Sequence, residues 1–405
     1  MARQIKNKHD AGVLLGPLFY EFCCRLYWLS SNFENKTDAL LFMSRGGLRL
    51  KYLYELFLEV NGFSDRIARF PFWISRFAAV KLIFAENPEW SVACIVREFM
   101  HSNCRFMADA LLPRTLCGKE QLLQSIPAEL ASSPVTRDNF FTLYHGDCAC
   151  SEALRHHFQE QRDIGMEYLT REFGEFKNLY TVDSGWFGST LGSLQAGCRN
   201  WKWKAIYFGR WNYRNEVPWY FHDIIPLVID ANGLRGTNPA DIMLEYHHLI
   251  ESVLEPELPS VEYYMPDGTC NAMIPDWQEI IAGSENEELW QGILAYFRFC
   301  PSVVPADVVK ASCGALKFWK CVLRYPNPAE AGILEVPARS SDFGRAEKAS
   351  IFLANSRLPF REYWRSVKRS LWPAGAIAAS SGKKTLFRQI FWHICRRFLN
   401  YRGAV

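Results

Sequence analysis

Two short stretches of this sequence gather the residue types that anion and sugar chemistry needs. In SRGGLRL (44–50), Ser44 and Arg45 precede the adjacent glycines Gly46 and Gly47, and an apolar run leads in. Two glycines let a ligand approach the backbone closely, a following helix offers free N–H groups, and Arg45 supplies a fork of donors. In VDSGWFGSTLGSL (182–194), an apolar run ends in Asp183 and is followed by Ser184, Gly185, Trp186, Gly188, Ser189 and Thr190. Gly185, Gly188, Ser189 and Thr190 can form a nest of N–H and hydroxyl donors around a phosphate. Glycine-rich strand-to-helix turns are common without any ligand. What gives these two weight is their pairing, because ligands of open parallel sheets bind beyond the carboxyl ends of the strands.

Other polar groups invite readings of their own. Arg76 follows an apolar run and is either another phosphate donor or a solvated strand-end arginine. His145 and Asp147 lie in YHGDCAC, and Glu245, His247, His248 and Glu251 lie close together further on. Adjacent histidines point apart on a helix, so only one of His247 and His248 is expected to share a site with Glu245 or Glu251. A structural histidine is the favoured reading there. Trp201, Trp203, Trp211 and Trp219 could stack on a sugar, although packing is an equally good use of tryptophan.

These residues need elements to position them. ALLFMS (39–44), FPFWIS (70–75), LYTVD (179–183) and KAIYFG (204–209) read as buried strands, compact and apolar between turn or charged residues. Helical patterns alternate with them, which predicts an α/β fold with a mostly parallel, Rossmann-like sheet. Residues 84–176 are helical in pattern and read as an insertion into a core spanning 12–255. GVLLGPLFYEFCCRLYWL reads as a core-facing helix after Pro17, and LEPELPSVEYYMPDG as a connection into a mainly helical region, 256–380.

At 405 residues with 49% apolar composition the chain is a folded globular protein. Its formal charge of +3 is unevenly spread: 357–402 holds eleven Lys/Arg against one Glu, about +10, which leaves about −7 for the remainder. Within it, 383–402 forms an amphipathic pattern, with Leu386, Phe387, Ile390, Phe391, Ile394, Phe398 and Leu399 opposite Arg388, Gln389, His393, Arg396 and Arg397. A terminal helix docked on its own domain is the favoured reading, and an interfacial helix on anionic lipid the alternative. Nucleic-acid binding ranks last, because the rest of the chain is acidic. The thirteen cysteines show no CxxC pair, and the polar start MARQIKNKHD has no signal-type apolar segment. Both features point to reduced thiols and a cytoplasmic protein.

The turn of Asp183 followed by G-x-x-G-S-T resembles the phosphoribosyl-pyrophosphate (PRPP) loop of type I phosphoribosyltransferases, and SRGG resembles their pyrophosphate loop. Ser184 stands where that family usually has a second acid. A longer succession is similar to a region of bacterial surface-polysaccharide proteins linked to glycan ribofuranosylation, commonly fused to an HAD-type phosphatase. It comprises GPLFYEF, LLFMSRGGLRLKYLYELF, FPFWISR, YTVDSGWFGSTLGSL, LIESVLEPELPSVEYY and SLWPAGAIA, and covers residues 16–380. The resemblance implies transfer of 5-phosphoribose from PRPP to a glycan acceptor in O-antigen or capsule synthesis, at the inner membrane face if the acceptor is lipid-linked. It implies that Asp183 accepts from the ribose hydroxyls, that Gly185 to Thr190 hold the 5-phosphate, and that Ser184 also lies against the substrate. Ser44 to Gly47, with Mg²⁺, would hold pyrophosphate. Glu251 is the first choice of acceptor base, with Asp147 and His145 as alternatives. No D-x-D-x-T motif is present, so removal of the 5-phosphate is expected of a separate phosphatase. A non-catalytic sugar-phosphate-binding scaffold is the alternative function.

Overall fold

The computed structural model describes residues 5–212, 217–231, 239–300, 302–336, 339–340, 348–349, 352, 358–381 and 384–401. The chain begins with α1 (Lys8–Ser30), β1 (Asp38–Met43), α2 (Gly46–Asn61), β2 (Ala68–Phe72) and α3 (Arg76–Leu82). Helices α4 (Pro88–Phe99), α5 (Cys104–Leu111), α6 (Lys119–Gln124), α7 (Ala128–Ser132), α8 (Arg137–His145) and α9 (Ala149–Phe173) follow without a strand. The sheet resumes with β3 (Asn178–Asp183), α10 (Ser189–Gly197), β4 (Lys202–Trp211) and β5 (Ile224–Ala231). Then come α11 (His247–Leu254), α12 (Trp277–Ala282), α13 (Glu288–Phe299), α14 (Pro305–Arg324), α15 (Pro328–Ile333), α16 (Phe360–Arg369), α17 (Pro373–Ser381) and α18 (Thr385–Tyr401).

The protein is α/β, with five parallel strands in the order β2-β1-β3-β4-β5. Alternation along β1 sends Leu40 and Phe42 to one face and Ala39, Leu41 and Met43 to the other, so both faces are apolar and covered. Helices α1, α2, α13 and α14 cover the first face, and α3, α9 and α10 the second. The helices between β2 and β3 close over a separate apolar cluster that includes Val92, Ile95, Met107, Leu143 and Phe158. The later helices do not stand apart: Trp290, Phe297 and Trp319 share the core of α1, and the Trp319 indole donates to the Leu14 carbonyl at 3.0 Å.

Several elements differ from the sequence expectation. β2 starts two residues before FPFWIS and ends three residues short of it, because Ser75 caps α3 by accepting from the Ala78 N–H at 3.0 Å. α1 starts at Lys8, capped by Asn7, and contains Pro17 within it. The fifth strand, IIPLVIDA, was not expected. Pro226 interrupts its pattern, and β5 is an edge strand, where proline is tolerated. The segment expected to be a connection is a buried strap. Ser75 Oγ donates to the Val261 carbonyl at 2.5 Å, Lys81 Nζ to the Glu262 carbonyl at 2.9 Å, and Tyr264 OH to the Trp73 carbonyl at 2.7 Å. Among the described residues, no helix is long and apolar enough to cross a membrane, and all thirteen cysteines are free.

Candidate active site

The strand order reverses direction between β1 and β3, and in open sheets this switch point is where ligands sit. Both glycine turns lie there. Gly46 opens α2 directly behind β1, and a Cβ on it would come 2.8 Å from Asp183 Oδ1 and 3.3 Å from Ser184 Oγ. Glycine at 46 lets the acid at the end of β3 rest against the first turn of α2, where a Cβ would push its carboxylate aside. The two turns therefore meet. Arg45, the N-cap of α2, has φ +67°, a left-handed conformation that costs a non-glycine residue energy and is typically tolerated at functional turns.

The β3 turn runs beside β4, with the Gly209 N–H donating to the Ser184 carbonyl at 3.1 Å and the Trp211 N–H to the Trp186 carbonyl at 3.1 Å. Gly185, at φ +124°, lies against the Gly209 carbonyl where no side chain fits. Gly188 then caps α10. Ser189 and Thr190 are each only 8% exposed at its first turn, yet among the described residues neither hydroxyl has a hydrogen-bond partner. Both hydroxyl oxygens still reach solvent, and two such donors at a helix N-terminus suit an anion that supplies acceptors.

Helix α11 clamps both turns. Glu251 accepts from Trp186 Nε1 at 3.0 Å, and its other oxygen lies 3.0 Å from His248 Nδ1. Glu255, just past the helix, pairs with Arg45 at 3.5 Å. Buried Arg49 on α2 donates to the Val253 carbonyl at 2.6 Å and to Glu287, which fixes α11 against α2. Asp183 keeps a narrow opening to solvent but has protein on every side. That desolvation raises its pKa to about 7; Glu255 and Glu251 add to the rise, while the Ser184 N–H and Arg45 oppose it.

The remaining candidates divide clearly. Arg76 stands at the start of α3 on the same strand-end rim, close enough to lower the pKa of buried Tyr207, and pairs with Glu98 at 2.8 Å. Ser44 is turned away from a ligand role, its hydroxyl donating to the Ile74 carbonyl at 2.5 Å. His145 ends α8 and Asp147 lies in the turn before α9; both are exposed, and among the described residues no hydrogen bond or ion pair joins Asp147 to the crevice. Both therefore belong to the helical insertion between β2 and β3.

His247 and His248 correct the expectation that only one could share a site. Their ring centroids lie 4.0 Å apart, and with Glu251 they bring ligand atoms within 4.8 Å of one another. His247 is the first residue of α11, where the chain is not yet committed to helical side-chain directions. Two imidazoles and a carboxylate suit Zn²⁺ better than Mg²⁺. Glu245 instead pairs with Arg324 at 3.3 Å. Trp201 and Trp203 are buried at the far end of β4, donating to the carbonyls of Phe173 and Cys198, so both serve packing. Trp211 edges His247 at 5.4 Å, while Trp219 is exposed beside Trp90. Sequence reading overlooked Glu255 and the Trp186–Glu251 bond. The spacing of Glu251 and Glu255, one helical turn, was the available signal.

An open cleft of about 420 Å³ lies at the opposite end of the strands, lined by Glu34, Lys177, Arg199 and Lys202 among others. It is not at the switch point. No protein-family model and no curated protein matches this chain.

Proposed function

We propose that this chain is a phosphoribosyltransferase that moves 5-phosphoribose from PRPP to a glycan hydroxyl and releases pyrophosphate. The observation that carries this reading is the meeting of the two turns across the switch point, with Asp183 between the start of α2 and the unpaired hydroxyls of α10. Ser189, Thr190 and the free N–H groups of α10 hold the 5-phosphate; Arg45 and the start of α2 hold pyrophosphate. Asp183 lies between these ends, where it accepts from ribose hydroxyls and favours positive charge developing at C1. The acceptor oxygen attacks C1, the bond from C1 to the pyrophosphate oxygen breaks, and the hydroxyl proton passes to the Glu251–His248 pair. Trp186 orients that pair through its indole N–H.

Asp183 and Glu255 are hard oxygen donors of the kind Mg²⁺ takes, with most of its remaining ligands from phosphate and water. When bound there, Mg²⁺ neutralises charge on the departing pyrophosphate. Burial raises the Asp183 pKa to about 7, so the carboxylate that would hold Mg²⁺ becomes the prevailing form as pH rises past neutral. A separate HAD-type phosphatase then removes the 5-phosphate. The reaction belongs at the cytoplasmic face, in O-antigen or capsule synthesis.

The test is to mix protein, PRPP, Mg²⁺ and a panel of acceptor glycans and follow pyrophosphate release with a phosphopentose mass gain. Absence of PRPP binding by calorimetry, with no turnover across the panel, removes the proposal. A second reading, a scaffold that binds a sugar phosphate without turnover, is favoured by Ser184 in place of a second acid and by the engaged hydroxyl of Ser44. Binding of PRPP without pyrophosphate release selects it.

A further inference from the structure

Helix α18 docks by its polar side. Gln389 is 1% exposed, and its amide donates to the carbonyls of Pro326 at 2.9 Å and Ala374 at 3.3 Å. His393 Nε2 lies 3.0 Å from the Arg324 carbonyl. Because these polar groups face the protein, the opposite stripe faces solvent. Leu386, Phe387, Ile390, Phe391 and Ile394 are all exposed, Phe387 by 74%. The side chains of Arg396, Arg397, Phe398 and Leu399 lie outside the described residues.

The stripe continues onto α16. Trp364 contacts Phe391 with ring centroids 5.3 Å apart and Phe360 at 6.2 Å, and Phe360 is itself exposed. Around this patch, α16 presents Arg361, Arg365, Lys368 and Arg369 to solvent. A helix that completes its own core turns its apolar side inward. This one spends its polar side on docking and leaves aromatic and branched aliphatic groups in water, beside cations.

We propose that α16 and α18 together form a landing surface for an anionic lipid bilayer. The apolar stripe enters the boundary between headgroups and acyl chains, and the surrounding arginines and lysines meet lipid phosphates. With seventeen residues α18 is about 25 Å long and lies in the membrane plane without crossing it. Charge argues against a second copy as the occupant. A twofold interface through this face sets two basic segments, each with eleven Lys/Arg and one Glu across 357–402, against each other.

The full chain is floated with vesicles of phosphatidylcholine plus phosphatidylglycerol and with phosphatidylcholine alone. Binding is expected to the anionic vesicles, to fall with salt, and to weaken roughly tenfold or more in Phe387→Asp/Ile390→Asp. Both side chains are exposed, so the thermal unfolding of this variant should match the parent. A second variant, Arg365→Glu/Arg369→Glu, should weaken anionic binding while leaving the apolar stripe whole. Three results overturn the proposal: no flotation with anionic vesicles, equal flotation of parent and Phe387→Asp/Ile390→Asp, or a solution dimer that the same variant dissolves. The last assigns the face to a second copy.

Discussion

Replacing Asp183 with asparagine separates a catalytic carboxylate from a structural turn, because the two roles predict opposite effects on folding. In the native protein Asp183 holds its proton to about pH 7, pushed there first by burial and then by Glu255 and Glu251. In the unfolded chain an aspartate loses it near pH 4. Between those values the fold binds the extra proton, so stability conferred at low pH is lost as pH rises through about 7. A difference of about three pKa units at about 1.4 kcal/mol each gives a ceiling of about 4 kcal/mol. Asp183→Asn keeps the shape and the oxygen that accepts from the Ser184 N–H, but cannot ionise. The variant is expected to match the parent near pH 4–5 and to exceed it by about 2–4 kcal/mol near pH 8–9. Urea unfolding at matched ionic strength reads this directly, from the midpoint and an unchanged slope. Under the proposed function, turnover falls at least about a hundredfold in the same variant. Equal destabilisation at both pH values refutes the reasoning, because it makes the carboxyl an ordinary low-pKa ligand of the turn.

Three further perturbations probe the same crevice. Gly46→Ala drives a methyl to 2.8 Å from Asp183 Oδ1 and should cost about 1–3 kcal/mol while abolishing PRPP binding; an unchanged melting temperature contradicts the close approach of the turns. Arg45→Gly relieves the φ of +67° and should be more stable than Arg45→Ala by about 1 kcal/mol, while both weaken pyrophosphate binding measured by calorimetry. Trp186→Phe removes the donor to Glu251, a bond to a charged group worth about 1.5–3 kcal/mol, and should shift the pH profile of kcat more than it changes the KM for PRPP.

Much of the framework could be read from sequence, for identifiable reasons. β1, β3 and β4 are compact apolar runs whose limits coincide with charged or glycine residues, and the two turns follow them directly. β5 escaped because Pro226 breaks the pattern, and edge position was what made that proline acceptable. Amphipathicity in α18 revealed that its faces differ, but not which one the protein would take. The Pro326 and Ala374 carbonyls that accept from Gln389 are tertiary facts. The gathering of both histidines beside Glu251 likewise depended on where α11 begins. Asp147 illustrates the complementary limit: it lies on the helical insertion, and an acid beside a histidine in sequence carries no information about the switch point.

The packing of α1 also sets a timetable. Its apolar residues, among them Leu15, Leu18 and Phe22, are covered partly by α13 and α14, and the Leu14 carbonyl meets Trp319 across 305 positions of chain. At about 5–20 residues per second, synthesis leaves the first helix without those partners for about fifteen seconds to a minute. Contacts of such separation also slow folding after release. The nascent chain thus carries one apolar side of α1 uncovered through most of its synthesis, and its yield should depend on a holding chaperone that protects that side until α14 emerges.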